Sequence, residues 1–172
     1  MQEYSSEDIR SIFRTSGDFN ELFEAFRSAI EKGLNDLDAY RELFWNQTLK
    51  PEELLFFAKK LGEVFPEIGY DTYIWLSEVM NTRFDTEDTL ELAFLCLKKA
   101  SEFNPKSTDP YLLACELYDE DLRIPTLQSI MSFLKGGVGI VENSKVLCGR
   151  LATMYKSLGN DEMFRYYSDM AG

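Results

Sequence analysis

The sequence predicts an all-α fold built of stacked antiparallel helix pairs. Three observations predict it. Apolar residues recur with helical spacing along almost the whole chain, Gly, Pro, Asn and Asp punctuate those stretches at intervals, and scarcely any segment alternates as a half-buried strand would. The 172 residues suit one domain, and 45% hydrophobic content with 13 Phe and 9 Tyr supplies enough apolar surface to offset the entropy of ordering. Intrinsic disorder is not expected.

The first helix is predicted over 6–15. In the second, Phe19, Leu22, Phe23, Phe26, Ala29 and Ile30 follow the i, i+3, i+4, i+7 rule, with Asp18 as N-cap and Gly33 as the stop. A third helix is predicted over 36–47, with Asp36 as its cap. The fourth carries the stripe Leu54, Phe57, Ala58, Leu61, Val64 and Phe65, with Thr48 as a candidate cap and Pro51 near its start, where a missing N–H costs little. Six more are predicted at 70–83, 86–103, 108–119, 124–135, 142–158 and 160–170. Asp85, Ser107 or Thr108, and Asn160 or Asp161 are their candidate caps, and Pro125 fits a first helical turn. The glycines in GGVGIVEN at 136–143 imply a looser connection. The ten helices form five pairs, at about 6–33, 36–65, 70–104, 108–136 and 142–171, in a single domain spanning 1–172.

The pairs repeat. Leu22, Phe57, Ala93, Leu127 and Phe164 anchor the second helices at spacings of 35, 36, 34 and 37 residues, and Phe13, Phe84, Tyr118 and Tyr155 recur near the ends of first helices. Met80, Asn81 and Phe84, followed by Ala93, Leu97, Ala100 and Pro105, then Tyr111, Ala114, Cys115 and Tyr118, resemble the signature of the tetratricopeptide repeats. Leu151, Ala152 and Tyr155 with the SLGND turn at 157–161 resemble it again. The first two pairs share the period but little of the signature, and Leu127, Met131 and Leu134 replace its small residues in the fourth second helix. The resemblance implies a right-handed α-solenoid of about five pairs, a TPR-like superhelix whose concave face, lined by first helices, is the usual binding surface.

In the family register that face would present Trp75, Glu78, Thr82 and Asp85 from the third unit and Asp109, Leu112, Glu116 and Asp119 from the fourth. The second unit would add Asp38, Arg41, Trp45 and Thr48. The partner-binding candidates are therefore Trp45, Trp75, Glu78, Asp85, Asp109, Leu112, Glu116 and Asp119. Two readings stand for each group: the tryptophans either anchor a partner or pack between helices, and the carboxylates either line a groove or form an ordinary solvated face. Some family members grip a C-terminal carboxylate with Lys, Arg and Asn on these helices. Glu78 and Glu116 stand here instead, which disfavours that role.

A net charge of -12, from 30 acidic and 18 basic residues, disfavours nucleic acid and anionic membranes, since no cluster of Lys and Arg is evident to release counterions. The acidity is either a solubilising surface or a groove for a basic partner. The polar, acidic start is unlike a signal peptide, and no apolar run approaches a membrane span, so a cytoplasmic location is expected. Cys96, Cys115 and Cys148 lie in apolar helical patterns, as reduced core thiols would.

With no histidine, Ser/His/Asp and Cys/His catalysis is excluded, and neighbouring carboxylates such as Glu87/Asp88 are poor signals in so acidic a chain. Gly136, Gly137 and Gly139 are not followed by the GK[ST] of a phosphate loop, and the loops at 85–88 and 118–121 lack EF-hand spacing. The expectation is a non-enzymatic scaffold without cofactor or metal that binds a protein or peptide, a basic one if the acidic groove is real. Two alternatives remain open. One is a homodimerising adaptor using the apolar last helix, with Met163, Phe164, Tyr166, Tyr167 and Met170; the other is a small TPR-like chaperone for a secreted protein.

Overall fold

The apolar stripes fold into helices near all ten expected positions, with differences in caps and bounds. A computed structural model describes residues 4–84 and 86–172. Among the described residues are ten α-helices: α1 (Ser6–Thr15), α2 (Phe19–Glu31), α3 (Leu37–Phe44), α4 (Pro51–Val64), α5 (Gly69–Arg83), α6 (Glu87–Phe103), α7 (Asp109–Glu116), α8 (Leu127–Val138), α9 (Ser144–Ser157) and α10 (Asp161–Ala171). A single 3-10 turn, Pro66–Ile68, leads into α5, and the one β-bridge pairs Asp119 with Ile124. The fold class is all-α.

Local side chains satisfy the free N–H groups at several helix starts. Ser5 and Asp8 form a reciprocal capping box on α1 (2.9 and 3.1 Å). Asp18, Asp36 and Asn160 accept the bonds expected of them, from the amides of Asn20, Asp38 and Met163. Gly33 (φ +67°) ends the first pair's second helix in the left-handed conformation open to glycine.

Four details differ from the reading of the sequence. Thr48 does not cap α4: its amide and hydroxyl donate to Asn46 Oδ1 (3.0 and 2.6 Å), and the N-cap of α4 is Lys50, whose amide is bound by Glu53 (2.7 Å). Pro125 lies outside α8, in a cis Ile124–Pro125 bond ahead of the true cap, Thr126. Thr108 occupies the α7 cap position without using its side chain, while Ser107 Oγ accepts from the Asp109 amide (3.2 Å). Gly136 and Gly137 are helical residues of α8 and only Gly139 caps it. Helical Gly137 is required by close packing, because a Cβ there would sit 2.7 Å from Tyr111 and 2.9 Å from Leu147. Asp85 lies outside the described residues.

Most helices pack on a neighbour in sequence, but α3 packs on α1 and α5 rather than on α2 or α4. α1 meets α2 and α3, α3 also meets α5, and from α4 onward each helix packs on the next except across the α7–α8 connection, where the contact is slighter. The core runs from Ile9 and Phe13 to Leu151 and Tyr155. Leu22, Phe57 and Ala93, three of the repeating anchors, are fully buried, whereas Leu127 and Phe164 are half-buried. Phe57 touches the rings of Phe19, Phe26 and Phe56, and burying a side chain of this size stabilises by roughly 1.5–3 kcal/mol. Cys96, Cys115 and Cys148 are free thiols, and burial pushes Cys96 up to about 12, so it stays protonated and unreactive.

Two polar side chains tie helix ends to turns thirty or more residues away. Asn46, 4% exposed, donates through Nδ2 to the carbonyls of Phe13 and Ser16 (2.8 and 2.9 Å), binding the α1–α2 turn to the end of α3. Further along the chain, Arg83 donates to the carbonyls of Phe44 and Leu49 (2.8 and 3.0 Å), binding the α3–α4 turn to the end of α5. Both supply donors to turn carbonyls that would otherwise lack partners.

Candidate functional site

Ile74, Ser77, Glu78 and Asn81 recur at i, i+3, i+4, i+7 on α5, and so share one face of that helix. Leu113, Glu116 and Leu117 do the same on α7 and the residue that follows it. The two faces meet across a cleft of about 270 Å³ lined by these seven residues. Apolar Ile74, Leu113 and Leu117 lie beside the exposed carboxylates of Glu78 and Glu116, while Ser77 and Asn81 contribute polar groups. Among the described residues neither glutamate has a cation within ion-pair distance. Two unpaired negative charges flanking an apolar surface favour a ligand that brings positive charge and apolar side chains together.

Beside this cleft, α3 and α5 bring the two tryptophans together. The rings of Trp45 and Trp75 meet nearly edge to face, with centroids 6.2 Å apart and planes 75° apart. Both are half-buried and pack against the core. The Arg41 guanidinium lies over Trp75, 4.5 Å from the ring centroid, and donates to Asp38 Oδ1 at 2.7 Å. Trp75 Nε1 and Arg41 Nε are buried and have no hydrogen-bond partner. Trp75 and Glu78 are one helical turn apart on α5, so the tryptophan corner and the cleft adjoin.

The other candidates have different surroundings. Asp109, at the start of α7, accepts a 3.3 Å bond from the Tyr70 hydroxyl, which also bonds Ser107 (2.9 Å); burial raises the Tyr70 phenol above its ordinary value. Leu112 is half-buried against the core, and its neighbour Leu113 lines the cleft. Asp119 is engaged by its own turn, accepting from the amides of Asp121 and Leu122 (2.9 and 2.7 Å). Asp85 falls outside the described residues. The sequence reading placed Glu78 and Glu116 on one surface but missed Ile74, Ser77, Asn81, Leu113 and Leu117, although their helical spacing was visible.

Among the described residues no three Cys, Asp or Glu side chains gather at metal-binding spacing. Among the described residues no helix is long and apolar enough to cross a membrane. No protein-family model and no curated protein sequence matches the chain.

Proposed function

We propose that this protein is a non-enzymatic interaction scaffold of the cytoplasm, a TPR-like stack of helix pairs. In this reading it holds a basic, partly apolar segment of a partner protein against the first helices of its third and fourth pairs. The observation that carries the reading is the α5/α7 cleft, in which Glu78 and Glu116 stand unpaired beside Ile74, Leu113 and Leu117. Apolar side chains of the partner would fill the cleft and give affinity, and its Lys or Arg side chains would meet the two glutamates and fix register. The acidity of the whole chain would draw such a partner in, an effect that weakens with salt. Packing of α3 on α1 and α5, helices that would be first helices of adjacent pairs, also suits a repeat stack, in which no pair buries its apolar stripe alone. The chain has no histidine, and the proposal assigns no catalysis.

The experiment is selection from a random peptide library displayed on phage, with the wild-type chain as bait and the Glu78→Lys/Glu116→Lys variant as counter-bait. The proposal expects enriched peptides that combine Lys or Arg with apolar residues and bind the variant about tenfold more weakly or worse. Enrichment of acidic peptides, or of peptides that bind both baits equally, overturns it.

A further inference from the structure

The tryptophan corner already holds a side chain of the kind the neighbouring cleft is suited to attract. Trp45 and Trp75 form two walls at 75° to one another, and the face of Trp75 is covered by the planar, positively charged guanidinium of Arg41 at 4.5 Å. Asp38 supplies a carboxylate at 2.7 Å from Nη1. An aromatic face beside a carboxylate is what a guanidinium seeks, because it can stack on the ring and hydrogen-bond in its own plane.

The resident is held loosely. Its clamp is an i, i+3 pair with an Asp38 side chain that is 69% exposed, and the Arg41 side chain is itself 43% exposed, so it can swing into water without crossing packed core. Its fit is also incomplete, since Nε is buried without an acceptor. Glu78, unpaired, lies one helical turn along α5 from Trp75, so a guanidinium arriving from the cleft side would meet a second carboxylate.

We infer that Trp45, Trp75 and Asp38 form an arginine subsite at the edge of the groove, occupied in the unbound chain by Arg41 and surrendered to an arginine of the partner protein. This rests on the groove reading above and narrows it: the partner carries arginine rather than lysine at this point, because an ammonium cannot stack as a planar fork. Arg41 then competes with the partner, and the apparent affinity is lowered by the fraction of molecules in which Arg41 covers the ring.

The test uses the full chain and a short blocked peptide of Leu, Ala and Arg with helical spacing, together with its twin in which every Arg is Lys. Affinity is read by fluorescence anisotropy, and occupancy by the indole N–H resonance of Trp75, assigned through Trp75→Phe. Arg41→Gln should bind the arginine peptide about three- to tenfold more tightly than wild type, as expected when a weak cation–π competitor is removed. The lysine twin should gain less, and the Trp75 indole should shift on saturation with the arginine peptide. Arg27→Gln makes the same change in net charge on α2, where Arg27 pairs with Glu24 and Glu31, and should leave affinity unchanged. Arg41→Lys, which keeps the charge, guards against a folding defect and should fall between wild type and Arg41→Gln.

If Arg41→Gln binds the arginine peptide no better than wild type while Glu78→Lys/Glu116→Lys still weakens it, the subsite is refuted and the groove stands. Equal gains by both peptides, or an equal gain in Arg27→Gln, refute the subsite by reducing the effect to net charge. If the charge reversal has no effect on either peptide, the groove fails and the subsite with it.

Discussion

Helices α1–α6 and helices α7–α10 are held together by different means. In α1–α6, side chains reach between helices to main-chain and polar partners: Asn46 to Phe13 and Ser16, Arg83 to Phe44 and Leu49, Arg10 to Asp36, and Arg14 to Glu42. The start of α7 is still tied back to α5 by the Tyr70 hydroxyl, which bonds Ser107 and Asp109 (2.9 and 3.3 Å), but beyond it the tie among the described residues is a main-chain one, from Glu142 N to Lys106 O (3.0 Å), and the α7–α8 turn is closed on itself by Asp119. Helices α7–α10 rely more on ring contacts, including Tyr111 stacked on Phe133 at 4.2 Å and Tyr155 on Tyr167 at 5.6 Å. In a chain whose contacts are mostly between neighbours, the half with fewer cross-ties opens first. The α5/α7 cleft sits at the junction, so a ligand bound there should fasten the looser half to the firmer one.

The contrast can be broken most directly at Asn46. Asn46→Ala strands the buried Phe13 carbonyl and frees the part-buried Ser16 carbonyl, and should cost about 2–4 kcal/mol in chemical denaturation, since an orphaned buried group costs on the order of 1–3 kcal/mol and the part-buried one adds less. A loss below about 1 kcal/mol would show that the polar tie is not what makes the first half firm. At the other end, Gly137→Ala forces a methyl group against Tyr111 and Leu147, both buried and unable to retreat, and should cost about 1–3 kcal/mol. Hydrogen exchange should show that loss as faster opening of α7–α9 while α1–α4 stays protected; uniform loss of protection would mean the chain unfolds as one unit.

The smallest effect concerns the first helix. Hydrogen bonds from the Ser5 side chain and backbone hold the Asp8 carboxyl below its ordinary value of 3.8. Its contribution is therefore complete above that value and is lost as pH falls through the lowered one. An NMR titration should show the Ser5 and Asp8 amides keeping their capped shifts as pH falls through the ordinary carboxyl range and losing them only below it, while the rest of α1–α6 is unchanged. Capped shifts lost within or above the ordinary range would contradict this.

The helices were legible in the sequence because their stripes and short-range caps are local. Asp18, Asp36 and Asn160 each precede an apolar stripe and bond within three residues. Thr48 and Pro125 were misread because their surroundings are set by the fold: Asn46 recruits Thr48 while reaching back to the first pair, and Pro125 belongs to the turn that Asp119 closes. The groove was partly legible for the same reason. Glu78 and Glu116 share a cleft, but Leu113 lines it where Leu112 was expected, and one residue on a helix is a rotation of about 100°. Asp119 satisfies its own turn, and Arg41 over Trp75 is a contact between two helices that spacing along one helix does not reveal. On the last helix, Tyr166 and Met170 are exposed while Tyr167 turns inward onto Tyr155.

The most direct measurement is a titration of the leading display-selected peptide into the wild-type chain and into Glu78→Lys/Glu116→Lys, repeated at low and high salt after both chains are shown to be equally helical. The account predicts saturable binding by wild type that weakens with salt, and about tenfold or greater loss in the variant. Equal affinity for the two chains at every salt concentration would contradict it.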